Sequence, residues 1–186
     1  MQTADDDDFD GLMVHEQLSF SWRLLDAPPS ESELVHLCEA NEALLRVCAT
    51  LDDAMPRLSN EGSEVVQELV RFDAKLNLLL EMVSELLHTT RQLPQMTPLE
   101  LGAQGLRFPC AQLLAPPSLL LLDVYACPQF PKALRLFARV LDGQEDLEGY
   151  RIMARFEGLS TAMTEGLEKL VFRRHRRSIA LRKHKL

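Results

Sequence analysis

Several things are scarce in this sequence of 186 residues. It has four cysteines, Cys38, Cys48, Cys110 and Cys127, and no two form a CxxC pair. That excludes a disulfide-dense scaffold and a zinc ribbon, and fits reduced thiols in a cytoplasm. Its apolar runs, such as Leu119–Leu122, are strand-sized and fall far short of the roughly 20 residues that span a bilayer. The stretch Met1–Asp10 is acidic where a secretory leader is basic and then apolar. Of the eight glycines, only Gly11 and Gly62 lie in the first hundred residues. The early half should therefore be built of long regular elements and the later half of short ones joined by turns.

Enzyme signatures are missing as well. There is no GxSxG elbow, no GxxxxGK[ST] loop and no HExxH pair. The five histidines do not stand at ligand spacing from cysteines or carboxylates; His36 and Cys38 are two apart, on different faces of a helix. No catalytic residue, metal site or cofactor is expected.

Charge is unevenly placed. From Val171 to Leu186 lie seven of the chain's 20 basic residues and none of its 28 acidic ones, which leaves 13 against 28 in the rest. A body this acidic repels polyanions, so nucleic acid is not expected as a partner of the whole chain. The basic tail is the one cationic stretch. Arg173 and Arg177, four apart on one helical face, are candidates for contact with an anion or an acidic partner. A solvated basic helix end that favours the helix dipole reads equally well.

Residues 1–17 read as an acidic, disordered tip, and Leu18–Leu25 as a strand stopped by Pro28-Pro29. Ser30 and Glu33 form a capping box for a helix over about Glu31 to Asp53. A second helix runs from about Ser63 to Arg91, where Pro94 and Pro98 end it, so residues 30–93 form a helical insertion. From 96 to 160 the period falls to two, with strands at Leu99–Leu101, Leu106–Phe108, Leu119–Tyr125, Ala133–Leu141 and Tyr150–Phe156. Short strands at such spacing curl into a small antiparallel barrel. A C-terminal helix starts at Thr161 and carries the basic tail through 186.

The second helix repeats Leu69, Phe72, Leu76, Leu79, Val83 and Leu86 at spacings of three and four, the seam of a coiled coil. A broken stripe (Val66, Val70, Leu80, Leu87) widens the apolar face, which suits three or four strands better than two. The first helix has a frame of its own in Leu34, Leu37, Asn41, Leu44, Cys48 and Leu51, with Asn41 where a buried amide would fix register. An intrachain hairpin gives the same period. The length of the second helix favours self-association, with a tetramer expected.

With these residues in hand, the second half resembles a PilZ domain, a six-stranded barrel best known as a cyclic di-GMP receptor. Glu100-Leu101-Gly102-Ala103-Gln104-Gly105 lies over the family's [DN]-x-S-x-x-G motif. Ala138–Val140 and Tyr150–Ser160 resemble its closing hairpin. The resemblance implies an α+β fold: Leu18–Leu25 as first strand, two helices inserted before the second, and a C-terminal helix. It is nearest a non-standard branch with inserted heptad helices that forms tetramers. The departures matter for function. The family's R-x-x-x-R is absent, since Asp5–Gln17 holds no Arg or Lys and five Asp; Glu100 replaces the short Asp or Asn, and Gly102 the serine. Gly105 remains, explained as a turn position with positive φ. These losses imply a cytoplasmic, non-catalytic, self-associating scaffold in bacterial signalling with an unidentified protein partner, which does not hold cyclic di-GMP in the usual way. The alternatives are a cyclic di-GMP receptor with a rearranged arginine site at Arg173 and Arg177, and nucleic-acid binding through the tail.

Overall fold

The computed structural model describes residues 11–52, 68, 69, 71, 72, 74–76, 78, 79, 82, 83, 93–127, 130, 132–147 and 149–183. Six strands, β1 (Val14–Leu25), β2 (Met96–Leu101), β3 (Gly105–Cys110), β4 (Leu119–Val124), β5 (Leu134–Asp146) and β6 (Gly149–Glu157), close an antiparallel barrel in the order β1-β2-β3-β6-β5-β4. Helix α1 (Glu31–Asp52) follows β1, and helix α2 (Thr161–Lys183) follows β6. The described residues among 68–83 are helical. Strand β1 starts four residues ahead of the expected Leu18. Its first half pairs with β2 over Val14–Ser19 and its second with β4 over Phe20–Leu25, so this one strand shuts the barrel.

Alternation explains the interior. Leu99 and Leu101, Leu106 and Phe108, Leu120, Leu122 and Val124, and Leu134 to Val140 in twos are all buried, while their neighbours face out. Each large side chain so buried contributes about 1.5–3 kcal/mol. Phe20 and Trp22 pack on Phe108 at ring-centroid distances of 5.0 and 6.1 Å, so Trp22 belongs to the barrel.

The capping box predicted for α1 is present: Ser30 N–H donates to Glu33 Oε2 at 2.8 Å, and Glu33 N–H donates to Ser30 Oγ at 3.3 Å. Ser160 caps α2 by accepting from Met163 N–H at 3.0 Å, while its hydroxyl donates to Glu42 on α1 at 2.7 Å. The helices meet closely at Gly166, where a Cβ would stand 2.8 Å from Leu45 Cδ1. Met163, Leu167, Leu170 and Val171 of α2 join Leu44, Leu45 and Cys48 of α1 in one core with the barrel.

The frame of α1 packs within the chain, where Leu44 and Cys48 are buried in the core. Asn41 is buried too, but its amide bonds the main chain of β5: Nδ2 donates to Arg135 O at 2.6 Å, and Arg135 N–H donates to Oδ1 at 3.1 Å. The register of β6 on β5 ends at Glu157 opposite Phe137. Arg135 therefore has β4 on one side, with Asp123 opposite it, but no β6 residue on the other, and the Asn41 amide takes that empty place.

Candidate functional site

The motif-bearing hairpin joins β2 to β3. Gly102 N–H donates to Gly105 O at 2.9 Å, which closes the turn. Gly105 opens β3 and does not have the positive φ expected of it; positive φ falls at Gly149 (145°) and Gly158 (69°). Gly102 is buried, and a Cβ there would stand 2.5 Å from Met13 Sδ. The serine of the family's motif would thus require Met13 to swing aside.

Glu100 lies opposite Arg107 on β3 and His15 on β1 in the strand register. Its Oε2 accepts from Arg107 Nη1 at 3.2 Å and its Oε1 from Arg151 Nη1 of β6 at 2.6 Å, with His15 Nδ1 3.8 Å away. Arg151 also reaches Asp146, at 3.0 Å. The Leu147 N–H and then the Arg151 guanidinium hold the Asp146 carboxyl below its ordinary pKa. These residues line a cleft of about 730 Å³ on the outer face of the barrel. The cleft presents arginines suited to phosphate, but a carboxylate of the chain itself occupies both guanidinia. A phosphate entering here would displace charge-assisted bonds worth about 1.5–3 kcal/mol each.

Neither Arg173 nor Arg177 lines this cleft. Between them on α2, Arg174 is anchored to the barrel. Arg174, 12% exposed, donates through Nη1 to Glu16 on β1 and through Nη2 to the main-chain oxygen of Ala126. Sequence reasoning passed over Arg174 because nothing in a run of arginines marks which one turns inward. Arg176 stacks over Phe172, 5.9 Å from its ring centroid, on the outer side of the helix. Among the described residues no group of three His, Cys, Asp or Glu side chains could hold a metal ion, and no helix is long and apolar enough to cross a membrane.

The described seam residues lie elsewhere, on the surface of the single chain. Leu69, Phe72, Leu76, Leu79 and Val83 are 62, 63, 45, 57 and 50% exposed. Leu86 lies outside the described residues, as do Val66, Val70, Leu80 and Leu87 of the second stripe. Five large apolar side chains on one helical stripe are far from the scattered exposure normal for a monomer.

A closed six-stranded barrel with helices inserted after its first strand, and a C-terminal helix packed on them, defines a PilZ-type α+β protein. Comparison with known families agrees: residues 45–184 match the model described as "Atypical PilZ domain, cyclic di-GMP receptor". The chain belongs to this atypical PilZ family. Among solved structures it is similar to a pathogenic protein from Xanthomonas campestris, a tetrameric PilZ domain self-assembled via an unusual helical bundle. The identity is 26%, the TM-score 0.74, and the match covers 92% of each chain. No curated protein matches the sequence significantly.

Proposed function

We propose that this chain is a non-catalytic, self-associating interaction module of a bacterial signalling pathway. It assembles through its inserted helical segment, most simply into a tetramer, and presents several barrels at once to a protein partner. The observation that carries this reading is the exposed stripe Leu69, Phe72, Leu76, Leu79 and Val83. In a coiled coil or bundle such a stripe is buried between copies. The tetrameric solved relative supports the same assembly. Repeated barrels on one bundle convert weak single contacts into avidity. Nucleic acid is not the expected partner, given 28 acidic against 20 basic residues.

Two experiments test this. Leu76→Asp places a charge in the middle of the stripe, and sedimentation velocity should show the oligomer split to smaller species; an unchanged mass sinks the assembly. Cyclic di-GMP titrated calorimetrically at low salt should give no saturable heat up to about a hundred micromolar, because Glu100 holds the arginines. A second reading, a cyclic di-GMP receptor, is favoured by the family's own description and by the two guanidinia in the Glu100 cleft. Glu100→Asn separates the two. If the cleft is a latent phosphate site, this variant gains binding that the native chain lacks.

A further inference from the structure

A second cleft lies away from the motif. A cleft of about 980 Å³ opens between α1 and the outer face of β4 and β5. Leu37, Leu121, Tyr125, Phe130 and Phe137 line it, with Arg23 and Lys132 also on its wall. Leu121 points outward between the inward Leu120 and Leu122, yet it is buried without belonging to the barrel core. Phe137 stands opposite it on β5, and Arg23 opposite it on β1. Among the described residues neither Arg23 nor Lys132 meets a carboxylate. Arg135, paired with Asp123, and Glu33, held by Ser30, also line it, so the cleft offers apolar side chains, two cations that meet no carboxylate and one capped carboxylate. Its complement is an acidic amphipathic helix.

The chain carries one. Besides the seam, Leu78 and Met82 are 56 and 58% exposed. At ~100° per residue they lie roughly 120° round the helix from the seam, so a bundle closed on the seam leaves them uncovered. Three residues beyond each stands an acid, Glu81 and Glu85. Val83 of the same segment already lines the cleft within its own chain, so cleft and helix are contiguous. From these observations we infer that the cleft receives Leu78 and Met82 of a second copy, whose acidic local sequence complements Arg23 and Lys132. Each barrel is then clamped to a neighbour's helix, and the cleft is incomplete without the partner copy. The inference rests on the assembly proposed above and deepens it.

The test uses the full chain across a dilution series, read by sedimentation velocity. Leu78→Asp/Met82→Asp leaves the seam intact, and Arg23→Glu/Lys132→Glu changes only exposed cleft residues. Each should raise the midpoint of dissociation at least about tenfold. Mixing Lys132→Glu chains with Glu81→Lys chains should recover part of that loss. Unchanged midpoints for both double variants, with Leu76→Asp still splitting the oligomer, overturn the clamp and leave assembly by the seam standing. A native chain that is monomeric at every concentration overturns both. Anilinonaphthalene sulfonate, an apolar anion, distinguishes an occupied cleft from an open one. Bright fluorescence in the assembled native protein, lost in Phe137→Ala, means that the cleft is open to some other partner, and the inference fails.

Discussion

Replacing Asn41 removes the side-chain amide that ties α1 to the start of β5. Its amide makes two bonds to the Arg135 main chain, at 2.6 and 3.1 Å, and the residue is 3% exposed. In Asn41→Leu both bonds go, and an N–H and a C=O are left beside an apolar side chain. Each unsatisfied buried group costs about 1–3 kcal/mol, so the loss should total about 2–6 kcal/mol. Urea unfolding followed by circular dichroism measures it, with all chains at one concentration because assembly adds to apparent stability. Asn41→Asp sharpens the reasoning. An ionised Asp still accepts from Arg135 N–H but sets a negative oxygen against Arg135 O, whereas a protonated one donates to it. The variant's Asp pKa should therefore be raised, and its deficit relative to the native chain should shrink as pH falls through that value. A loss under about 0.5 kcal/mol for Asn41→Leu, or a pH-independent deficit for Asn41→Asp, would refute the role given to this amide.

Two further outcomes follow from local geometry. At Gly149, φ is 145° and a Cβ would stand 2.6 Å from the main-chain oxygen of Cys110; at Gly158, φ is 69° and the obstacle is the Leu34 side chain, which can turn. Gly149→Ala should thus cost about 2–3 kcal/mol and Gly158→Ala about 1–2 kcal/mol, and thermal melts that reverse this order would contradict the geometry. The Ser30 hydroxyl, then the Ser30 N–H, hold the Glu33 carboxyl below its ordinary pKa. A lowered pKa means that the cap's contribution is present above the unfolded value and lost as pH falls through the folded one. In Ser30→Ala, Glu33 should titrate nearer to its ordinary value by NMR, with less helix lost on acidification; an unchanged titration contradicts the capping role.

Much of this fold is legible in the sequence because its signals are local. Alternation of apolar residues sets every strand to within a few positions, Pro28-Pro29 stops β1, and Ser30 with Glu33 starts α1. The same period does not say what a face packs against. Asn41, Leu44 and Cys48 read as a heptad frame with no stated partner, and the structure turns them to β5 and the core, because an amphipathic helix looks alike whether its partner is its own barrel or another copy. Gly105 looked like a turn glycine, and the strained positions turned out to be Gly149 and Gly158, a distinction made by φ and not by residue type.

The site divides in the same way. That the family's arginine and serine positions are lost is a property of the sequence alone. That Glu100 draws Arg107 and Arg151 to itself depends on cross-strand register, which brings residues 7 and 51 positions away within hydrogen-bond reach. That Arg174 of the tail turns inward was likewise settled by where α2 crosses β1, at Arg174 and Glu16. Composition and period determine which residues seek cover, because hydrophobicity and backbone geometry act over a few neighbours. Tertiary structure decides which partner each one finds, because charges and amides far apart in the chain become neighbours only when the barrel closes.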